Sequence, residues 1–201
     1  MNCYPVHRLD VGTGGACVLA LSKESCRTLQ LLWTNKQCHK EYLAVVSGKP
    51  STAAGIYRDY LYHDSRQNKT FIVKKQRKGI KEAVCSWECI ESVQADEQIL
   101  SLVRIHLETG RTHQIRVQFA SRGLPLVGDR KYGSRTKADS VSLWSSRISF
   151  PDPFLPGRTT DAISIPPMVF PWQMFDAVSK SFGMLVSSAE ILVARASVIL
   201  G

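Results

Sequence analysis

Ile99-Leu-Ser-Leu-Val-Arg-Ile-His-Leu107 runs without a break into Glu108-Thr-Gly-Arg-Thr-His-Gln-Ile-Arg116-Val-Gln-Phe-Ala-Ser121. In the first part Ile99, Val103, Ile105 and Leu107 share one face of an extended chain, which is the spacing of a strand. In the second, Thr112 can cap a helix over 113–121 that turns off at Gly123 and buries Ile115 and Phe119. The join between them is the densest polar segment of the chain. It places four strongly hydrogen-bonding side chains at a strand-to-helix junction, something an apolar core does not require.

Upstream of this join the period-two pattern recurs. Strands are expected at Ala83–Val93, Thr70–Lys74 and Tyr57–Tyr62, and from Lys40 onward, where Tyr42, Ala44 and Val46 alternate with Leu43 and Val45 until Gly48-Lys-Pro50 ends the run. Residues 16–21 are a short apolar run after the glycines 12, 14 and 15, as a buried strand after a turn would be. Ser22 can then cap a helix over Lys23–Thr34 whose apolar face is Cys26, Leu29, Leu32 and Trp33. Downstream, Val141–Phe150 reads as a further strand. Six prolines make 151–172 extended and turn-rich, and Val178, Phe182, Leu185, Ala189 and Leu192 recur at helical spacing. Many strands and few helices imply an α+β fold with a mixed, largely antiparallel sheet.

Composition narrows the function classes. With 201 residues, 44% of them apolar, the chain is long enough for a core and is neither disordered nor disulfide-dense. Lys+Arg 26 against Asp+Glu 17 leaves a net charge of +9, which attracts polyanions: nucleic acid or anionic lipid is a favoured partner, a large acidic protein a further one, and charge alone does not choose among them. Lys180, Glu190 and Arg195 interrupt the apolar tail short of the ~20 residues a membrane span needs, and Met1-Asn-Cys-Tyr-Pro5 is not a secretory signal, so a cytoplasmic location is expected. The six cysteines are expected to be reduced thiols, and neither Cys85-x-x-x-Cys89 nor Cys38-His39 makes a zinc pattern, so no metal is expected.

Two basic groups stand out. Arg66, Lys69, Lys74, Lys75, Arg77, Lys78 and Lys81 lie within sixteen positions containing no acid, a pattern that is a solvated loop as often as a phosphate site. Arg104, Arg111, Arg116, Arg122, Arg130, Lys131 and Arg135 are mostly arginine, whose planar fork suits phosphate better than the point charge of lysine. Near the N-terminus, Val6-His7-Arg8-Leu9-Asp10-Val11 sets a His, an Arg and an Asp among apolar residues just before a glycine turn. An aspartate beside a turn is ordinarily a cap or a surface residue. The glycines 12, 14 and 15 fall short of a dinucleotide fingerprint, and no P-loop lysine follows them.

His7-Arg-Leu-Asp10-Val-Gly-Thr13-Gly-Gly15 and Gly110-Arg-Thr-His-Gln-Ile-Arg116-Val-Gln118, in this order and this far apart, resemble the two hallmark segments of the RluA-type RNA pseudouridine synthases. Gly123-Leu-Pro-Leu-Val-Gly-Asp129-Arg-Lys-Tyr-Gly133 looks like the loop that follows in that family, and Lys40-Glu-Tyr42-Leu-Ala-Val-Val-Ser-Gly48 like its tyrosine-bearing strand. The resemblance covers about residues 4–175. It implies a pseudouridine synthase-like catalytic domain over 1–175, lacking the N-terminal strands that relatives carry, with 176–201 a separate amphipathic helix. It also implies isomerisation of uridine to pseudouridine in ribosomal or transfer RNA without cofactor or metal. By this resemblance Asp10 is the nucleophile, Tyr42 stacks on the base and helps to remove the C5 proton, and Arg116 ion-pairs with Asp10, with Arg111 in reserve. Arg8 would fill the space left by the flipped uridine. Arg111, Lys74, Lys75, Arg77 and Lys78 would contact RNA, and His7, Thr13, His113 and Gln114 would hold the motif loops in shape. The alternative is a catalytically silent RNA-binding module. Gly14 stands where the family has Ser and Gln118 where it has His, and neither position carries chemistry in this scheme.

Overall fold

The computed structural model describes residues 2–187. In chain order these form β1 (Tyr4–Pro5), β2 (Gly14–Gly15), β3 (Leu19–Ala20), α1 (Lys23–Thr34), β4 (His39–Ser47), β5 (Ala54–Asp64), β6 (Lys69–Val73), β7 (Lys81–Ala95), β8 (Gln98–Leu107), α2 (Gln114–Ala120), β9 (Leu143–Pro151), β10 (Thr159–Ile163) and α3 (Asp176–Ser187). Single 3₁₀ turns lie at Arg130–Tyr132 and Trp172–Met174. The main sheet has the order β10-β9-β4-β8-β7-β5-β6. Every pair along it is antiparallel, and only β2 runs parallel to its neighbour, β9. This is the mixed, largely antiparallel α+β architecture expected.

The alternation along β4 explains the layering. Tyr42, Ala44 and Val46 join Val103, Ile105, Ile115 and Phe119 in a core between the sheet and α2, while Val45 faces the other way into Leu100, Leu102, Trp172, Phe175 and Val178. A third cluster, with Val6, Val18, Cys26, Leu29, Ile148 and Phe150, seats α1 and the N-terminal segment on the end of β9. Ile99 shares the parity of Val103 but lies at the strand's start and is exposed.

Two irregularities bend the sheet. Between Glu41 and Tyr42 the β4–β9 register skips from Arg147 to Ser145, so that β9 carries one extra residue opposite Tyr42. A second shift, between Cys89 and Glu91, lies on β7. Such bulges increase local twist and re-aim side chains.

Local expectations held where the signal was local. Ser22 caps α1, its Oγ accepting the N–H of Ser25 at 3.0 Å. Elsewhere the structure corrects them. The 16–21 run is a strand only at Leu19–Ala20, paired with β1. Thr112 does not cap α2: His113 does, in the left-handed region at φ 54, without a side-chain bond. The proline-rich stretch contains β10, which pairs with β9. The terminal helix begins at Asp176, its first backbone N–H groups accepted by the Glu91 carboxylate at 3.1 and 3.0 Å. Its expected continuation over 188–201 lies outside the described residues.

Candidate active site

Asp10 starts a tight turn. The N–H of Thr13 returns to the Asp10 carbonyl at 2.9 Å, and Gly12 takes a φ of +84 that other residues seldom adopt. The turn is then pressed onto the sheet: a Cβ at Gly14 would lie 2.2 Å from the Trp144 ring, and one at Gly15 2.3 Å from the Ser145 carbonyl oxygen. Gly15 pairs with Ser145 and Ser145 with Tyr42, so the Asp10 turn and the Tyr42 phenol are registered through a single residue of β9.

Asp10 and Tyr42 line one cleft of about 280 Å³, together with Arg8, Lys40, Arg111 and Gln114. That volume suits one flipped nucleobase. One carboxylate oxygen of Asp10 accepts the backbone N–H of His113 at 3.2 Å. Tyr42 is buried, and burial pushes its phenol up to about 12, helped by the charges of Asp10 and Cys17 and opposed by the nearby Ser145 hydroxyl. That hydroxyl is itself buried without a hydrogen-bond partner.

The residues expected to shape the loops make a dense network. Gln114 Oε1 accepts from Thr109 Oγ1 at 2.8 Å and from the Arg111 N–H at 3.0 Å, while its Nε2 donates to the Val84 carbonyl at 3.1 Å. Tyr132 Oη accepts the Thr70 N–H at 2.8 Å and shares a second hydrogen bond with His113 Nδ1 at 2.9 Å. Thr70 Oγ1 donates to the Thr112 carbonyl at 2.8 Å and therefore accepts from His63 Nδ1 at 3.1 Å. Burial lowers the pKa of His113; Asp10 opposes this, while Arg116, Lys131 and His63 add to it. His7 stacks on Trp33 at 5.1 Å and its Nε2 accepts the Val18 N–H at 3.1 Å. Thr13 contributes its backbone turn, and its hydroxyl is buried without a partner.

Arg116 is where the structure overturns the expected pairing. Its guanidinium grips Asp129, not Asp10, in a bidentate pair at 2.7 and 2.8 Å with both side chains buried, and it stacks over the Tyr132 ring at 5.1 Å. The reason is geometric: both Asp129 oxygens present themselves to the guanidinium fork, whereas Asp10 turns one oxygen to the His113 backbone. Burial pulls the pKa of Arg116 down, but the Asp129 hydrogen bond and charge, with the charge of Asp10, leave it raised. Among the described residues Asp10 makes no ion pair.

Arg8 and Arg111 do line the cleft, Arg111 steadied by a bond from its Nε to the Glu82 carbonyl at 3.0 Å. Lys74, Lys75, Arg77 and Lys78 are exposed on the β6–β7 loop and do not line it. Sequence reasoning passed over Lys40, although it lies two positions before Tyr42 on the same strand and so shares its face. It also missed Asp129 and Tyr132 as partners of Arg116 and His113. Gln118, at the other departure from the family pattern, is fully buried and satisfied, donating to Asp59 at 2.8 Å. The glycines of 12–15 lead into a strand, not a helix N-terminus, which removes the basis for nucleotide binding there.

A family model described as RNA pseudouridylate synthase matches residues 1–121. An uncharacterised RNA pseudouridine synthase of Bacillus subtilis is 35% identical over 170 residues, covering 84% of this chain and 53% of the relative. One from Mycobacterium tuberculosis is 34% identical over 166 residues, with 79% and 51% covered. One from Zymomonas mobilis is 38% identical over 138 residues, with 68% and 60% covered. The chain thus spans about half the length of the first two. Among solved structures, human RNA pseudouridylate synthase domain containing 1 superposes with a TM-score of 0.75 at 21% identity, over 93% of this chain and 81% of that one. Human RNA pseudouridylate synthase domain containing 4 gives 0.67 at 21% identity, over 82% and 72%. These two likenesses concern the fold.

Proposed function

The chain belongs to the RNA pseudouridylate synthase family, and from that membership we propose that it isomerises uridine to pseudouridine within an RNA strand, with Asp10 as the nucleophile. The observation that carries this reading is the meeting of the Asp10 carboxylate and the Tyr42 phenol in one base-sized cleft bordered by Arg8, Lys40 and Arg111.

The reaction breaks N1–C1′, leaves that electron pair on the uracil, turns the base over, and joins C5 to C1′. Asp10 attacks C1′ or C6, so that one fragment is held while the other rotates. As C5 bonds to C1′ its proton must leave, and N1 takes up a proton, so the product has the composition of the substrate. A phenol whose pKa lies near 12 accepts the C5 proton only as it yields its own. Where the attack was at C1′, the Asp10 carboxylate is displaced as C5 bonds to C1′ and, lining the same cleft, is the group to receive it. Arg116 acts at one remove as a positioning residue, fastening α2, whose leading residue His113 holds Asp10, to the Asp129 loop.

The substrate proposed is ribosomal or transfer RNA in the cytoplasm. Among the described residues no helix is long and apolar enough to cross a membrane. Residues 1–175 are proposed as the catalytic domain, with 176–201 outside it; the described part of that segment, α3, is fastened to the sheet by Glu91. Incubation with uridine-containing RNA followed by carbodiimide treatment should reveal stable adducts at one or a few uridines. Binding without any adduct would leave the silent RNA-binding module in its place.

A further inference from the structure

Beside the catalytic cleft lies a second cavity of about 600 Å³. The two share Trp33, Lys40, Leu107, Gly110 and Arg111 as walls and so form one continuous trough. The second part is built from the α1–β4 turn, which brings Lys36, from the first residue of β4, His39, and from the end of β8 and the turn after it, which bring His106 and Glu108. Lys36, Lys40 and Arg111 make no ion pair among the described residues, and the acids among the trough's lining residues are Asp10 in the cleft and Glu108 in the second part. Lys40 is half-buried. A Cβ at Gly110 would lie 3.2 Å from its Nζ, so the glycine leaves the ammonium room. Burial, and more weakly Arg111, lower the pKa of Lys40, with Cys38 opposing. Two cations repelling each other at the neck of a trough, one of them half-desolvated and neither compensated, are an arrangement that an external anion relieves.

We infer that this trough carries the backbone of the RNA next to the target uridine, with Lys40 and Arg111 gripping the phosphate at the neck and Lys36, His39 and His106 lining the track of the neighbouring nucleotide. This rests on the cleft being a uridine site. A strand is favoured over an acidic peptide because the trough opens directly into a base-sized cleft, so one polyanion must pass the neck to deliver a base to Asp10. The exposed imidazoles of His39 and His106 offer flat surfaces for an unstacked base. The exposed lysines of the β6–β7 loop lie off this track and contribute only to long-range attraction.

The test uses the full chain and a labelled single-stranded RNA of about twenty nucleotides containing uridine, with binding followed by anisotropy across a salt series. Lys36→Gln, Lys40→Gln and Arg111→Gln are compared with Lys49→Gln, a surface lysine past the opposite end of β4. Each trough variant should weaken binding about tenfold and reduce the slope of log K against log salt by about 0.7, the single-strand value for one lost phosphate contact. Lys49→Gln should change neither. Lys36 is exposed, so its variant reads the trough even if Lys40→Gln disturbs folding. Wild-type affinity and slope in the trough variants, an equal loss in Lys49→Gln, or displacement of the RNA by polyglutamate at matched charge would overturn the inference. Failure of the wild-type chain to form pseudouridine, with the trough effects intact, would instead strike the proposed reaction.

Discussion

A neutral imidazole at position 7 gives the N-terminal motif a measurable pH signature. Burial, then the charge of Lys40, pull His7 from 6.5 to about 4, with the Arg8 backbone opposing. Between those values the unfolded chain binds a proton that the folded chain refuses. Stability is therefore complete above about pH 6.5 and falls as pH drops toward 4, by on the order of 3 kcal/mol from this group. Urea melts at pH 7, 5.5 and 4.5 should show a shallower acid decline in His7→Gln than in wild type, and parallel declines would contradict the assignment. Gly14 is a second single-residue test. Trp144 occupies the space where a side chain would start, so Gly14→Ser should cost about 1–3 kcal/mol through overpacking, with Trp144→Leu restoring part of the loss. An unchanged melting temperature in Gly14→Ser would mean that the turn sits off β9. The presence of Asp10 and Tyr42 in one cleft was legible in the motifs. The Arg116–Asp129 pair was not, because an arginine's spacing in sequence does not say which of several acids its fork will meet.

At the scale of elements, α2 is held from both ends of its first turn, by His113 to Tyr132 and by Arg116 to Asp129. Arg116→Met leaves a buried aspartate unpaired and should cost about 3–5 kcal/mol in urea denaturation, whereas Arg116→Met with Asp129→Leu should recover most of it. A double variant no better than the single would show that the pair is not the tether. This arrangement also explains what could be read of the elements beforehand. The α1 boundary was visible because Ser22 caps it through a bond three residues away. The start of α2 was not, because its cap is a backbone conformation stabilised by Asp10 and Tyr132, both distant in sequence. β10 was hidden among prolines because it pairs along one edge only, with β9, and its alternating exposed residues carry little apolar signal.

On the scale of the whole molecule, the sheet brings residue 10, residue 42 and residues 110–114 to one mouth while the basic β6–β7 loop stays apart from it. The net charge of +9 therefore divides into cations that line the trough and cations that lie apart from it. Composition could announce a polyanion partner but could not make that division, since it depends on the bulge opposite Tyr42 and on which turns flank β4. The central claim is that Asp10 drives an exchange at C5 of uridine. The most direct measurement is release of tritium to water from RNA labelled at C5 of uridine, by wild type and by Asp10→Asn at equal RNA occupancy. Release by wild type, with none from Asp10→Asn and RNA affinity within about twofold, is the predicted result. Equal release from both proteins would contradict it.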